Sequence, residues 1–278
     1  MEPTGPIGVF DSGYGGLTIL RDIRKRLPGY DYLYLGDNAR APYGSRSYEV
    51  VYRFTLEAVT ALFGMGCNLV ILACNTASAK ALRTIQQRDL PRIAPTRRVL
   101  GVIRPTVERV GQLTHTGHIG VLGTPGTIQS GSYNIEIAKL HPGFSAYGHG
   151  CPLWASLVEC RESDGDGADY FVRKDVEALF AMSSHIDTVI LGCTHYPLMM
   201  SKIMKYMPTG VKVVDQGPIV AESLEDYLRR HPEMAARCST GGTCTYLTTE
   251  RADKFSQTAS LFLGENNVTA RRVELRAE

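Results

Sequence analysis

The chain has 278 residues, of which 44% are hydrophobic and 21% charged, as expected for one large folded domain or two smaller ones. Thirty basic and 28 acidic residues give a formal charge of +2, which excludes the strongly basic surface typical of nucleic-acid-binding proteins. The N-terminus lacks the segments of a signal peptide, and no run approaches the roughly 20 apolar residues of a membrane span. We therefore expect neither a nucleic-acid nor a membrane partner.

The seven cysteines do not form the pattern of a disulfide framework. Their number is odd and they contain no CxxC pair, whereas disulfide-stabilised domains are short chains with paired cysteines. We therefore expect free thiols and a reducing, cytoplasmic location.

In chain order, seven short apolar runs predict β-strands. Their lack of alternation is typical of strands that are covered on both faces in a parallel sheet. Segments with helical spacing lie between them, so the sequence predicts an α/β fold. The predicted strands are 7–11, 32–37, 68–74, 99–103, 118–124, 188–193 and 211–215, and the predicted helices are 15–27, 49–64, 76–88, 127–140, 169–183 and 197–207.

A faint internal repeat suggests two similar α/β units. "IGVFDSGYGG" at residue 7 resembles "IGVLGTPGTI" at 119, and "VILACN" at 70 resembles "VILGCT" at 189. Chance similarity of apolar strands is the alternative, but a cysteine occupies the same place in both copies. We predict a first domain of residues 1–98 plus 212–278 and a second domain of residues 99–211.

Polar residues follow several predicted strands. Asp11 and Ser12 follow the first strand, Cys74 the third, and Cys193 with His195 the sixth. In open parallel sheets, ligands bind at the carboxyl ends of the strands. These side chains therefore predict a site at that edge.

Each strand-end cysteine lies just before a predicted helix. A helix N-terminus favours negative charge, so we expect the thiol pKa to fall from about 8.5 towards about 7. A buried structural cysteine is the alternative for either one alone. Cys193 and His195 are too few ligands for a zinc site, and the other cysteines lie in no motif, so we expect no metal.

Five blocks together resemble the glutamate racemases, cofactor-independent enzymes that interconvert L- and D-glutamate for bacterial peptidoglycan. They run in order from residue 8 to 198, and "VVDQG" at 213–217 fits a late strand of that family. The blocks are "GVFDSGYGGLTILRDI", "YLGDNARAPYG", "VILACNTAS", "IGVLGTPGTI" and "VILGCTHYPL".

The resemblance implies two α/β domains related by pseudo-twofold symmetry, with the active site in the cleft between them. Cys74 and Cys193 would be the acid–base pair, Cys74 acting on D-glutamate and Cys193 on L-glutamate. Inversion at carbon needs a base on one face and an acid on the other, which a pair of like groups can supply. No cofactor is expected, and a homodimer is expected only through the resemblance.

The resemblance also assigns the surrounding residues. Asp11 and His195 would assist the two thiols, and Glu159 matches an acidic residue near the site. Thr124 and Thr127 either contact the substrate or form a turn and helix cap. The pairs that match glutamate-binding residues are Asp11–Ser12, Tyr43–Gly44, Asn75–Thr76 and Thr194–His195.

Two residues depart from the family pattern. Arg104 stands where an acidic residue is common, and Tyr14 replaces a small apolar residue.

Three alternative functions stay open. They are a racemase or isomerase of aspartate or another small carboxylate, a hydrolase with Cys193 as nucleophile and His195 as base, and a non-catalytic binding module.

Overall fold

The computed structural model describes residues 3–265 and 268–275. No helix within these ranges is both long and apolar enough to cross a bilayer. The strands are β1 Ile7–Asp11, β2 Tyr32–Gly36, β3 Leu69–Leu72, β4 Arg98–Gly101, β5 His118–Gly123, β6 Ser145–Gly150, β7 Thr188–Gly192, β8 Lys212–Val214, β9 Cys244–Thr248 and β10 Ala270–Arg272.

The α-helices surround these strands, together with two 3-10 turns, Asn38–Arg40 and Tyr196–Met199, and a wider π-type turn, Ile85–Asp89. The α-helices are α1 Gly16–Arg26, α2 Tyr48–Gly64, α3 Asn75–Lys80, α4 Leu82–Thr84, α5 Leu90–Ile93, α6 Ile103–Val110, α7 Pro125–Gln129, α8 Ser132–Leu140, α9 Trp154–Glu159, α10 Asp166–Phe180, α11 Met200–Tyr206, α12 Gln216–Arg230, α13 Pro232–Ala235 and α14 Ala252–Leu263.

Two sheets organise the described part of the chain. The larger has the strand order β10-β9-β2-β1-β3-β4 and the smaller has the order β6-β5-β7-β8. Every pairing between these strands is parallel. Strands β1, β2, β3 and β7 are buried at every residue, as the continuous apolar runs predict. The α/β prediction is confirmed.

The strands at the two predicted domain boundaries, β4 and β8, each belong to the other sheet than the one predicted. β4 was expected in the second unit but pairs with β3 in the larger sheet. β8 was expected to close the first unit but pairs with β7 in the smaller sheet. An apolar run specifies a strand but not its neighbour, so these assignments needed the three-dimensional pairing. The division into two domains otherwise stays a prediction.

Three parts of the architecture have weak sequence signals. β6 is a half-buried edge strand with the sequence "SAYGHG", which contains no apolar run. The predicted helix 127–140 is divided at Gly131, whose φ of 66° is left-handed, a conformation that glycine adopts without strain. α12, which was not predicted, buries Val220, Leu224 and Leu228, spaced four residues apart along one helix face.

Candidate active site

A cleft of about 460 Å³ lies where the carboxyl ends of strands from the two sheets meet. Of the predicted site residues, only Thr127 does not line it. The cleft residues that sequence reasoning predicted are Asp11, Ser12, Tyr43, Gly44, Cys74, Asn75, Thr76, Thr124, Glu159, Cys193, Thr194 and His195. Residues separated by up to 184 positions in the chain thus share one cavity.

Cys74 directly precedes α3 and is only 6% exposed. Its sulfur accepts a hydrogen bond from the Ala77 amide at 3.4 Å and lies 3.4 Å from the Ser12 hydroxyl oxygen. Burial, followed by the nearby Asp11 carboxylate, raises the pKa of the Cys74 thiol to about 12. The prediction of a lowered pKa is therefore wrong for Cys74, because dehydration outweighs the donors at the helix terminus.

Asp11 is a buried carboxyl group at the end of β1. Its Oδ2 atom accepts a hydrogen bond from the Gly13 amide at 2.8 Å. Its Oδ1 atom is also buried and has no hydrogen-bond partner within residues 3–265 and 268–275. Burial raises the pKa of Asp11, while the positive charge of His195 and the amides of Gly13 and Gly16 act in the lowering direction. The Asp11 side chain thus lies at the cleft wall with Oδ1 enclosed by protein.

Cys193, His195 and Glu159 form a hydrogen-bonded chain on the other side of the cleft. The His195 Nδ1 atom lies 3.7 Å from the Cys193 sulfur, and Nε2 lies 2.8 Å from Glu159 Oε1. Burial alone lowers the pKa of His195, but its interactions with Cys193 and Glu159 prevail and raise it to about 10. The imidazole is therefore protonated at neutral pH and attracts negative charge on the Cys193 sulfur.

The Tyr43–Gly44 pair lines the cleft from the larger-sheet half, the half that contains Cys74. The Tyr43 hydroxyl donates to Asp37 Oδ2 at 2.5 Å, so that group already has an internal partner. A Cβ atom at Gly44 would come within 2.8 Å of the Thr124 Cβ, and the Gly44 carbonyl accepts from the Gly126 amide at 2.7 Å. This close contact with the smaller-sheet side requires glycine at position 44.

Three threonine hydroxyls form a cluster between α3 and α7. The oxygen of Thr76 lies 3.0 Å from that of Thr124 and 3.3 Å from that of Thr127. Thr124 also caps α7 by accepting from the Thr127 amide at 3.2 Å, which is the helix-cap alternative considered for these residues. Thr127 is buried behind the cleft wall, so only Thr76 and Thr124 face the cavity.

The Asn75 side chain contacts residues that the sequence analysis did not assign to the site. Its Nδ2 group donates to Gln216 Oε1 at 2.6 Å, and its Oδ1 atom accepts from the Tyr133 hydroxyl at 2.7 Å. Gln216 is separated from β8 by Asp215 alone, so the rule that polar residues follow strand ends at the site would have identified this segment.

The C-terminal helix α14 supplies further residues that were missed. Glu250, just before it, and Lys254 and Thr258 within it line the cleft. Glu250 follows the end of β9 by two residues, so the strand-end rule would have identified it. Lys254 and Thr258 lie inside the helix, and only their three-dimensional placement identifies them.

The two departures from the family pattern lie in different places. Tyr14 stacks on Phe255 and Phe262, with ring centroids 5.4 and 5.9 Å away. The Phe262 ring in turn meets the His195 ring edge-on at 5.5 Å. Arg104, on α6, pairs with Glu108 at 2.9 Å on the surface. Tyr14 therefore supports the site, whereas Arg104 does not line it.

One group of metal-ligand side chains occurs in the described ranges, and it differs from the Cys193–His195 pair considered above. One ligand atom each from His149, Cys151 and Asp175 lies within 4.8 Å of the others. His149 Nε2 and Asp175 Oδ1 are 3.1 Å apart and already pair with each other.

Cys151 also lines the cleft, as does the exposed Cys160, although neither lies in a predicted motif.

Comparison with known proteins gives a consistent result. A family model described as Asp/Glu/Hydantoin racemase matches residues 9–224. The chain is similar to the glutamate racemase of Ruegeria sp. (strain TM1040), at 40% identity over 267 residues, which are 92% of this chain and 96% of the relative.

Solved structures give the same result for the fold. Glutamate racemase isoform RacE1 from Bacillus anthracis has a TM-score of 0.88 at 34% identity, covering 98% of each chain. The glutamate racemase from Francisella tularensis subsp. tularensis SCHU S4, in complex with D-glutamate, has a TM-score of 0.84 at 31% identity, covering 99% of this chain and 98% of the other.

Proposed function

Because the chain belongs to the Asp/Glu/hydantoin racemase family, we propose that it is a glutamate racemase that transfers protons through Cys74 and Cys193. The observation that carries this proposal is that Cys74 and Cys193 line one cleft, each at the end of a buried central strand in a different sheet. Curated relatives that match nearly the whole chain carry the glutamate racemase name. The product, D-glutamate, serves peptidoglycan synthesis.

The reaction inverts the α-carbon, so one group must remove a proton and another must deliver one to the opposite face. In the L-to-D direction, the Cys193 thiolate takes the α-proton and becomes a thiol. Cys74 then gives its S–H proton to the other face and becomes the thiolate. The reverse direction exchanges these roles, so no net acid or base is consumed.

The surroundings of the two thiols support this starting arrangement. Protonated His195 lies next to Cys193 and stabilises a negative sulfur there. The raised pKa of Cys74 keeps that thiol protonated. The site therefore offers L-glutamate a proton donor at Cys74 and, at Cys193, a sulfur next to a positive charge.

Backbone and side-chain groups can hold the charged ends of the substrate. The Asp11 carboxyl group, which borders the cleft, is a suitable acceptor for the α-ammonium group. The first N–H groups of a helix lack partners within the helix, and Asn75 and Thr76 at the start of α3 line the cleft. Donors of this kind stabilise a carboxylate and the negative charge that develops on it as the α-proton leaves.

The proposal includes the cytoplasm as compartment and a homodimer as assembly state. All seven cysteines are free thiols, which supports a reducing environment. The homodimer rests on the family resemblance alone. Sedimentation velocity of the purified protein tests it, because a monomer near 30.5 kDa separates clearly from a dimer.

The decisive experiment incubates the protein with L-glutamate in deuterated water. We expect D-glutamate with deuterium at the α-carbon, measured by chiral chromatography and mass spectrometry. Exchange with aspartate but not with glutamate would transfer the proposal to that substrate. Absence of exchange with both amino acids would refute the racemase assignment.

A further inference from the structure

Gln216 lies at the junction of the two sheets and is only 2% exposed. It is the first residue of α12, directly after Asp215 at the end of β8 in the smaller sheet. Its side-chain oxygen accepts from Asn75 Nδ2 at 2.6 Å. Because Asn75 follows Cys74 in the larger-sheet half, this hydrogen bond joins the two halves beside one of the thiols.

The amide nitrogen of Gln216 makes three further buried contacts. It donates to Thr106 Oγ1 at 2.8 Å, to the Tyr133 hydroxyl oxygen at 2.9 Å and, at the longer distance of 3.4 Å, to the Val102 carbonyl. Thr106 belongs to α6, which follows β4, and Tyr133 belongs to α8 of the smaller-sheet half. The chain passes between the sheets after β4 and again after β8. The Gln216 side chain therefore joins α12, which follows β8, to α6, which follows β4.

The donors and acceptors of this network can be assigned without ambiguity. The Thr106 hydroxyl donates its single proton to the Val102 carbonyl at 2.7 Å, and the Tyr133 hydroxyl donates its proton to Asn75 Oδ1. Both hydroxyl oxygens can then only accept at Gln216. Position 216 must therefore supply two N–H donors on one side and one acceptor on the other, which is what a glutamine side chain offers.

We propose that Gln216 is a positioning residue for Cys74: by fixing the Asn75 side chain, it holds the N-terminus of α3, and with it the Cys74 sulfur, at the distance from the α-carbon that proton transfer requires. The inference rests on the proposed function. A misplacement of about 1 Å at a reacting group lowers the rate by roughly 100-fold, so a buried hydrogen bond one residue away from the thiol affects catalysis strongly.

Two substitutions of similar size test the requirement for donors. Gln216→Met keeps the length of the side chain but removes all four hydrogen bonds. Gln216→Glu keeps an oxygen for Asn75 but places a second oxygen against the committed oxygens of Thr106 and Tyr133. We expect kcat to fall by roughly 30- to 100-fold in both variants, with KM changed less than about threefold. Glu should be no better than Met at this position.

Deuterium at the α-carbon of the substrate separates positioning from a general loss of structure. Slower transfer at Cys74 makes that step limiting. The isotope effect on kcat should therefore rise for α-deuterated D-glutamate and fall for α-deuterated L-glutamate. Uniform damage to the protein would lower the amount of active enzyme and leave both isotope effects unchanged.

Controls keep the inference separate from the proposed function and from misfolding. Gln112→Glu makes the same chemical change on the exposed surface and should leave kcat unchanged. If the Gln216 variants do not fold, Tyr133→Phe removes the hydroxyl from the same network and should shift the isotope effects in the same direction. Wild-type kinetics and isotope effects in folded Gln216 variants would overturn the inference, whereas an inactive wild-type protein would overturn the proposed function.

Discussion

Cys74 and Cys193 occupy equivalent strand-end positions at the cleft but differ in their electrostatic surroundings. Around Cys74 the groups are the Ser12 hydroxyl, the Ala77 amide and the buried Asp11 carboxyl. Cys193 has protonated His195 beside it, supported by Glu159. Two identical side chains thus have different neighbours: a positively charged imidazole lies beside Cys193, whereas Cys74 is dehydrated and lies near a carboxyl group.

The residue two positions after each cysteine accounts for much of this difference. Thr76 stands there in the first half and His195 in the second. Thr76 contributes a neutral hydroxyl to the threonine cluster, whereas His195 contributes a charge. A repeat can therefore preserve strand, thiol and helix while one substitution changes the chemistry of one copy.

Removal of either thiol should have the largest effect. We expect Cys74→Ala and Cys193→Ala each to lower racemisation by about 10³-fold or more, since a positioned acid or base contributes about 10²- to 10⁴-fold. In deuterated water, Cys74→Ala should still exchange the α-proton of L-glutamate through Cys193, and Cys193→Ala that of D-glutamate. Chiral separation followed by mass spectrometry measures both.

Cys67→Ala is the matched control for the thiol variants. Burial raises the pKa of Cys67 to about 12 as well, but this residue does not line the cleft. It should retain wild-type turnover. Near-normal racemisation by Cys74→Ala would refute the two-base mechanism.

Replacement of His195 should have the second largest effect. His195→Gln removes the positive charge 3.7 Å from the Cys193 sulfur, so we expect kcat to fall by roughly 100-fold. The isotope effect on kcat should rise for α-deuterated L-glutamate, because proton removal by Cys193 becomes limiting. A larger rise with the D enantiomer would contradict the pairing of His195 with Cys193.

Loss of the Glu159 charge should change the pH profile more than the maximal rate. The carboxylate helps to raise the pKa of His195 to about 10, so Glu159→Gln should lower that pKa and leave the imidazole neutral at a lower pH. The alkaline limb of kcat should move from near pH 10 to lower pH, with kcat near pH 8 reduced by about tenfold. The exposed Glu162→Gln variant should keep the wild-type profile, and an unmoved limb in Glu159→Gln would argue against this role.

Ser12→Ala should have the smallest effect of the four. It removes one neutral hydrogen bond to the Cys74 sulfur, worth about 1 kcal/mol, or roughly fivefold in rate. Because the two enantiomers have equal free energies in water, kcat/KM must fall equally in both directions. Progress curves started from each enantiomer measure this, with the Ser201→Ala variant as control, because Ser201 is exposed and does not line the cleft. No change in Ser12→Ala would show that the contact contributes nothing to transfer.

Much of the fold was predictable because the central strands are buried on both faces, and continuous apolar runs mark such strands directly. β6 was missed because it has no apolar run. α12 was missed although its apolar residues Val220, Leu224 and Leu228 recur every four positions. The exchange of β4 and β8 between the sheets depends on long-range pairing, which no local pattern specifies.

The predicted cleft residues came from two signals, the repeated strand-end cysteine and the resemblance to a known family. Repetition of the strand-end cysteine singled out Cys74 and Cys193 from the five other cysteines. The pKa of Cys74 was predicted in the wrong direction because the helix N-terminus is visible in the sequence but the burial that opposes it is not. Likewise, Gln216 stands 141 residues from Asn75, and nothing in either segment indicates their contact.

The burial of Cys74 has a consequence for the chemical durability of the protein. Peroxides and alkylating agents react with the thiolate, and a thiol whose pKa burial raises to about 12 is almost entirely protonated at pH 7. Oxidative damage at this sulfur is correspondingly slow. The dehydration that keeps Cys74 protonated as a proton donor therefore also protects this required thiol from oxidation and alkylation.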